Sequence, residues 1–170
     1  TIGSSTQTDI ILLKTDHNGI EEWRRVISEP GSDVPYAIKQ TNNGYIMVAT
    51  TTSMGAGNKD IFLINFDLDG NIIWQKTYGG PALEYGFDVI LDDDGYVLTG
   101  STSSYGTMFY DMWIIKVDLS GEIVWDEIYS GNNIDIGQAI VNNQSNGYTV
   151  LGQTSSYGAG EFDFWVLKID

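Results

Sequence analysis

A repeat of 51 residues constrains this chain of 170 residues more than any other feature of its sequence. Apolar segments that begin and end with aspartate start at intervals of 51, 51 and 52 residues, at Asp9, Asp60, Asp111 and Asp163. Two further sets keep the spacing of 51: Trp23, Trp74 and Trp125, and Gly19, Gly70 and Gly121. A period of this length is typical of chains in which each unit buries its apolar face against the next unit. We therefore predict one repeat domain over residues 1–170, with repeats at about 9–59, 60–110 and 111–162 and a partial repeat at 163–170.

Each repeat predicts four β-strands joined by short turns. Residues 86–93, 96–103, 111–118 and 122–129 are rich in β-branched and aromatic side chains and lack the 3.6-residue apolar spacing of a helix. The aspartate-initiated strands are apolar on both faces, which predicts sheets buried on both sides by their neighbours. Small residues at Ala49, Gly100 and Gly152 predict a strand near a central axis. The predicted fold is all-β, an array of four-stranded antiparallel blades like those of a β-propeller.

Three motifs carry a resemblance to known repeats. Residues 96–125, from YVLTGSTSS to DMWIIKVDLSGEIVW, resemble kelch repeats, although Ala49, Gly100 and Gly152 stand where those repeats have a pair of glycines. The D-x-x-G-x-x-x-W segments resemble the tryptophan-docking motif of pyrroloquinoline-quinone-type propellers. Residues 65–80 and 116–125 also resemble repeats of about fifty residues found in large secreted and surface proteins of bacteria and archaea. The resemblance implies a propeller-like fold and implies no cofactor.

The predicted strands do not close a ring. The sequence predicts thirteen strands, in groups of two, four, four and three, whereas propellers have about 4–8 blades of four strands. Open ends leave unpaired backbone groups and apolar faces, so we expect them to be covered. The predicted partners are other copies of this chain, joined into a ring, filament or layer, or the rest of a longer chain.

Composition excludes several classes of function. The formal net charge of −15 would repel a phosphate backbone, so we predict no nucleic-acid partner. No apolar run reaches the roughly 18 residues of a membrane span, so we predict no membrane insertion. With no cysteine and one histidine, the chain lacks thiol chemistry and a histidine-rich metal site. No carboxylate pair is singled out by spacing, so we predict no enzyme activity. A secreted hydrolase or quinone-type enzyme would need a longer chain to supply the missing groups.

The repeated residues have a structural and a functional interpretation. The four repeated aspartates follow Gly- and Ser-rich loops, where a carboxylate can accept backbone N–H bonds; the alternative is a calcium ligand, the one cofactor that we consider. The D-x-x-G segments predict tight turns with a left-handed glycine. The three tryptophans predict packing between blades, with sugar stacking as the alternative.

Irregular residues are the better candidates for binding. Aromatic side chains in the long loops could contact a ligand, most plausibly a glycan; they are Tyr105, Phe109, Tyr110, Tyr157 and Phe162. Asn143 begins the one N-x-[ST] sequon, in the turn that carries the extra residue of the third repeat. The acidic run 92–94 predicts a solvated turn. Taken together, these patterns predict a non-catalytic extracellular or cell-surface scaffold that self-assembles through its open ends, with glycan binding as the alternative.

Overall fold

The chain is all-β. A computed structural model describes residues 7–143 and 147–170, and these contain thirteen strands and no helix. The strands are β1 (Ile10–Thr15), β2 (Glu21–Ile27), β3 (Asp33–Gln40), β4 (Gly44–Thr51), β5 (Asp60–Asp67), β6 (Ile72–Tyr78), β7 (Glu84–Asp92), β8 (Gly95–Thr102), β9 (Asp111–Asp118), β10 (Ile123–Tyr129), β11 (Asp135–Asn142), β12 (Tyr148–Thr154) and β13 (Asp163–Ile169).

The strands form four antiparallel sheets in chain order. Sheet I contains β1 and β2, sheet II β3 to β6, sheet III β7 to β10, and sheet IV β11 to β13. Every strand pairs only with its neighbours in sequence, so each sheet is a meander of hairpins. The predicted grouping into two, four, four and three strands is confirmed.

The sheets pack face to face, and the core lies between them. One cluster of buried side chains joins sheets I and II, a second joins II and III, and a third joins III and IV. In β5, side chains alternate between the first two clusters: Phe62 faces sheet I and Leu63 faces sheet III. Sheets II and III are therefore buried on both faces, as the apolar runs predict, whereas sheets I and IV each have one face that no other described sheet covers.

The small residues at Ala49, Gly100 and Gly152 lie on the second strand of their sheets, β4, β8 and β12. Second strands as well as first strands contact the adjacent sheet, since β4 contacts β7 and β8 contacts β11. Each small residue lies opposite a β-bulge in the first strand of its sheet. A Cβ on Gly100 would come within 1.9 Å of the Tyr85 carbonyl oxygen. Close approach of the bulged strand therefore favours a small residue here, and the predicted position near a central axis stays a prediction.

The predicted insertion and sequon fall partly outside the described residues. Asn143 directly follows β11, and its side-chain oxygen accepts a hydrogen bond from the backbone N–H of Gly147 at 2.9 Å. The rest of the sequon, Gln144 and Ser145, lies outside the described residues. Glycosylation of Asn143 stays a prediction.

Burial predicts a large difference between two phenylalanines of equal size. Phe62 is fully buried between sheets I and II, whereas Phe164 on β13 is 91% exposed. We expect Phe62→Ala to lower the free energy of unfolding by about 3–5 kcal/mol, and Phe164→Ala to change it by less than about 0.5 kcal/mol in dilute solution. Urea denaturation measures both. Equal losses would show that the sheets do not pack as described.

Candidate functional site

The repeated D-x-x-G turns share one hydrogen-bond pattern. They connect β1 to β2, β5 to β6, and β9 to β10. In the last of these, Asp118 Oδ1 accepts hydrogen bonds from the backbone N–H groups of Ser120 and Glu122, at 2.8 and 2.9 Å. Asp16 and Asp67 make the corresponding bonds in their turns. Gly19, Gly70 and Gly121 have φ angles of +82°, +74° and +79°, the left-handed conformation in which glycine avoids the steric cost of a side chain.

These hydrogen bonds stabilise the ionised carboxylate of each turn. The hydroxyl of Ser120, followed by the Glu122 N–H, holds the pKa of Asp118 below its usual range. The pKa values of Asp16 and Asp67 are lowered in the same way. The turns are therefore fixed by charge-assisted bonds at neutral pH.

A tryptophan from one sheet docks on the glycine turn of the next sheet. A Cβ on Gly121 would meet the Trp74 ring at 2.9 Å, and the Trp74 Nε1–H donates to the Leu119 carbonyl oxygen at 3.0 Å. Tyr78 on the same strand, β6, donates its hydroxyl to the Gly121 carbonyl oxygen at 2.8 Å. We call this contact the tryptophan dock of sheets II and III. Gly121 is favoured here for two reasons: the turn has a left-handed conformation, and a side chain would clash with the Trp74 ring.

The same dock joins sheets I and II, but without either of these two hydrogen bonds, because Trp23 donates none to a described residue and Ile27 stands where sheet II has Tyr78. The Trp23 ring approaches within 2.7 Å of the place a Cβ would occupy on Gly70, and Arg25 stacks on that ring at 5.5 Å from its centroid. The Trp23 Nε1–H is buried and has no hydrogen-bond partner among the described residues. Packing between sheets, which the sequence predicts for these tryptophans, is thus the contact that Trp23 and Trp74 make.

Half of a dock remains at each end of the array. A Cβ on Gly19 would meet no atom within 4 Å, so in the described structure its turn carries no tryptophan. At the other end, Trp125 packs on Tyr148 with ring centroids 6.1 Å apart. Neither the Trp125 indole nor the Tyr129 hydroxyl donates a hydrogen bond to a described residue, although Trp74 and Tyr78, 51 residues earlier, both do.

The outward faces of sheets I and IV each have a group of exposed apolar side chains. The first end face contains Ile11, Leu13 and Val26, and the last end face contains Leu151, Phe164 and Val166. The exposed fraction of these side chains ranges from 45% for Leu151 to 91% for Phe164. Exposed apolar groups of this kind, contiguous on one sheet face, are typical of interaction surfaces.

The repeated aspartates before the core strands bind their own loops. Asp60 and Asp163 accept backbone N–H bonds from Gly57 and Ala159, at 3.2 and 3.1 Å. Asp111 accepts the Thr107 N–H at 2.5 Å and the Thr107 hydroxyl at 2.9 Å. Asp9 precedes β1, is exposed and accepts no hydrogen bond from a described residue.

A second set of repeated carboxylates is missed by the sequence analysis. Asp33, Glu84 and Asp135 open β3, β7 and β11 and are fully buried. Glu84 accepts bonds from the Gly80 N–H at 2.9 Å and the Thr102 hydroxyl at 3.0 Å, and it thereby joins the segment before β7 to the end of β8. Their spacing of 51 residues is visible in the sequence, but the change from Asp to Glu and back conceals it.

The aromatic residues of the long loops are not equivalent to one another. Tyr105 packs on Trp113 and donates to the Gly79 carbonyl oxygen at 3.1 Å. Tyr157 repeats this contact in sheet IV, since it packs on Trp165 and donates to the Ser130 carbonyl oxygen at 2.9 Å. Both tyrosines thus link successive sheets.

The remaining loop aromatics are placed differently. Phe109 and Phe162 are about half exposed, and Tyr110 packs on Tyr85 with ring centroids 5.8 Å apart. Glycan binding by this whole set stays a prediction.

The acidic run is only partly a solvated turn. Asp92 and Asp94 both pair with Lys116, at 2.8 and 2.7 Å, and the Tyr148 hydroxyl of sheet IV donates to Asp92 at 2.5 Å. Burial opposes ionisation of Asp92, but the bonds from Lys116 and Tyr148 outweigh it, so its pKa lies below the usual range. The run therefore joins sheets III and IV, a role its neutral equivalents in other repeats do not predict.

Two further observations bear on cofactors and membranes. Within residues 7–143 and 147–170, no three histidine or acidic side chains lie close enough together to hold a metal ion. Calcium binding stays a prediction. The same residues contain no helix long and apolar enough to cross a membrane.

Comparison with known proteins gives no identity. The sequence matches no protein-family model, and no curated protein matches it significantly. The resemblance to kelch and quinone-type repeats therefore stays a prediction, and the function has to be inferred from the geometry.

The tryptophan dock predicts a difference between two equivalent tryptophans. Trp74→Phe removes the Nε1–H bond to Leu119, whereas Trp125→Phe removes no hydrogen bond to a described residue. We expect Trp74→Phe to lower the free energy of unfolding by about 1 kcal/mol more than Trp125→Phe. Chemical denaturation of both variants measures this difference. Equal losses would argue against a dock held by that bond.

The D-x-x-G turns predict a contribution to acid sensitivity. Because the folded pKa of Asp118 is lowered, its carboxylate stabilises the fold above the unfolded pKa, and this contribution is lost as the pH falls through the folded pKa. We expect Asp118→Ala to be less stable at pH 7 and to show a shallower loss of stability below about pH 4. Denaturant titrations from neutral to acidic pH measure both effects. The control is Asp69→Ala, whose carboxylate accepts no hydrogen bond from a described residue; the same flattening there would contradict the assignment.

Proposed function

We propose that this chain is a non-catalytic structural scaffold that self-associates head to tail through its two end faces. Its sheets act as the blades of a propeller-like array, and a second copy continues that array. Head-to-tail contacts between unlike surfaces build rings or filaments, depending on whether the rotation closes. We further propose an extracellular or cell-surface location, on the basis of the resemblance to repeats of large surface proteins.

One observation carries the proposal: each end face is half of an interface that recurs inside the chain. Ile11 and Leu13 on the first end face are equivalent to Phe62 and Ile64, which are fully buried against the preceding sheet. A preceding sheet like those inside the chain would therefore suit the first end face.

The last end face has the complementary equivalence. Phe164 and Val166 are equivalent to Met112 and Ile114, which are fully buried against the following sheet. The two end faces thus correspond to the opposite sides of one type of contact. The first end face of one copy should therefore fit the last end face of a second copy.

The incomplete tryptophan docks at the two ends support the same proposal. Among the described residues, no tryptophan ring packs on the Gly19 turn, and the side chains of Trp125 and Tyr129 donate no hydrogen bond. In addition, one edge of β13 has no described strand paired to it, and an unpaired strand edge favours association with another chain. A chain that continues beyond these residues could fill the same positions, so the experiment must test association of this chain itself.

Two charge-introducing variants test the proposal. Phe164→Glu disables the last end face and Ile11→Glu disables the first, and both side chains are exposed enough for the fold to tolerate the change. Light scattering across a concentration series should show large species for the parent chain and monomers for each variant alone. An equimolar mixture of the two variants keeps one intact face of each kind, so it should form 1:1 dimers and nothing larger.

A matched control and two contrary outcomes complete the test. Ile73→Glu places a carboxylate on an exposed position of sheet II whose equivalent in sheet I is Glu22, and it should leave the association of the parent chain unchanged. Dimers of a single variant would show that like faces pair, which overturns the head-to-tail arrangement. A monomeric parent chain at every concentration would overturn self-association altogether.

A further inference from the structure

A cleft between the first strands of sheets II, III and IV is lined mostly by aromatic side chains. It has a volume of about 270 Å³ and is formed by β3, β7 and β11 together with the end of β8 and the residue before β9. Its lining residues are Tyr36, Tyr85, Phe87, Ser101, Tyr110 and Ile136. None of its lining residues belongs to the end faces or to the tryptophan docks described above.

The β-bulges place two of these rings in the cleft. Pro35 and Ala37 pair with adjacent residues of β4, which leaves Tyr36 as the unpaired residue, and Phe87 is left unpaired between Gly86 and Asp88 in the same way. The edge of one of these two rings meets the face of the other, at a centroid distance of 5.1 Å and an angle of 81°. The bulge thus adds an aromatic side chain at a position that pairing in register would not provide.

Two further rings, those of Tyr85 and Tyr110, also form the walls of the cleft. Tyr85 is parallel to Phe87, with centroids 6.1 Å apart, and Tyr110 meets Tyr85 at 68°. Tyr36 is 45% exposed, and the other three rings are partly buried, so each keeps some accessible surface. Walls of this kind suit a flat ring that has an apolar face.

One polar group in the cleft and one beside it have no carboxylate partner among the described residues. Ser101 is 1% exposed and lines the cleft, yet its hydroxyl makes no hydrogen bond to a described residue. Lys59 lies beside the cleft: its ammonium donates to the Tyr85 hydroxyl at 3.1 Å and lies 4.7 Å from the centre of that ring. Buried polar groups in proteins are usually paired, so a hydroxyl left free here is available to a ligand.

The charge of Lys59 narrows the class of ligand. Six of the eight lysines and arginines lie within 4.0 Å of a carboxylate, and the exceptions are Lys59 and Arg25, which stacks on Trp23. In a chain with a formal net charge of −15, a lysine left without a carboxylate is unusual. None of the residues that line the cleft is acidic. A ligand that carries its own carboxylate would complete this site.

From these contacts we infer that the cleft binds an acidic pyranose, a sugar ring of the uronic acid type. The apolar face of the ring stacks on the aromatic walls, the Ser101 hydroxyl bonds to a sugar hydroxyl, and the carboxylate pairs with Lys59. A pyranose meets all three requirements at once, because it combines an apolar face with hydroxyl groups and, in the uronic acids, one carboxylate. This activity goes beyond self-association and does not depend on it.

Calorimetric titration with a glucuronate oligosaccharide and with its neutral glucose counterpart tests the inference. The parent chain should bind both sugars and prefer the acidic one. Lys59→Gln should remove the preference, with about a three- to tenfold loss for the acidic sugar and little change for the neutral one. Tyr36→Ala, at a side chain exposed enough to keep the fold, should weaken both sugars.

Two controls match these variants. Lys168→Gln removes an exposed lysine on β13 far from the cleft, and it should leave the preference unchanged. Phe109→Ala removes a half-exposed aromatic residue of the neighbouring loop, and it should leave both affinities unchanged. The Phe164→Glu background keeps the chain monomeric for the titrations, so failure of binding and failure of self-association are read separately.

Three outcomes would overturn the inference. Absence of binding to either sugar would remove the site. Equal binding of both sugars, unaffected by Lys59→Gln, would remove the acidic specificity. Loss of binding in Phe109→Ala with none in Tyr36→Ala would place the sugar in the long loops and not in the cleft.

Discussion

The contact between a tryptophan of one sheet and a glycine turn of the next orients sheets I, II and III against each other. Apolar burial is non-directional, so it favours stacking of the sheets without fixing their relative rotation. The Trp74 indole supplies the direction, because it rests on Gly121 and donates to the Leu119 carbonyl oxygen. Trp74 also packs against the buried cluster between sheets II and III, so the dock and the apolar core form one continuous contact there.

Much of this architecture could be predicted from the sequence because it is repeated. A single apolar run such as residues 60–67 could be a strand or a buried helix segment, but its recurrence with a tryptophan fourteen residues later in three copies favours a strand in a stacked sheet. The strand grouping follows directly, and so do the turns, since Asp and Gly at fixed positions predict the left-handed glycine that Gly70 and Gly121 show.

What the sequence does not predict lies where repeats differ or where the backbone is irregular. Nothing in the pattern indicates that Tyr36 and Phe87 are bulge residues, because a bulge changes pairing without changing the alternation of residue types. The pairing of Asp92 with Lys116 and Tyr148 is missed for a related reason: the equivalent turns are uncharged, so recurrence gives no signal. The candidate sugar cleft therefore comes from the structure, whereas the candidate assembly surfaces follow from the repeat.

Electrostatic repulsion opposes the proposed assembly, whereas burial of apolar side chains favours it. A net charge of −15 repels a second copy that approaches from any side, and screening limits this repulsion to about 8 Å at physiological ionic strength. The end faces are the places where burial of Ile11, Phe164 and their neighbours can outweigh it at contact. Exposed apolar side chains also lie outside the end faces, for example Ile73 and Val124. What distinguishes the end faces is that their equivalents inside the chain are buried against a neighbouring sheet, so the proposed association would extend the array along the axis on which its sheets already stack.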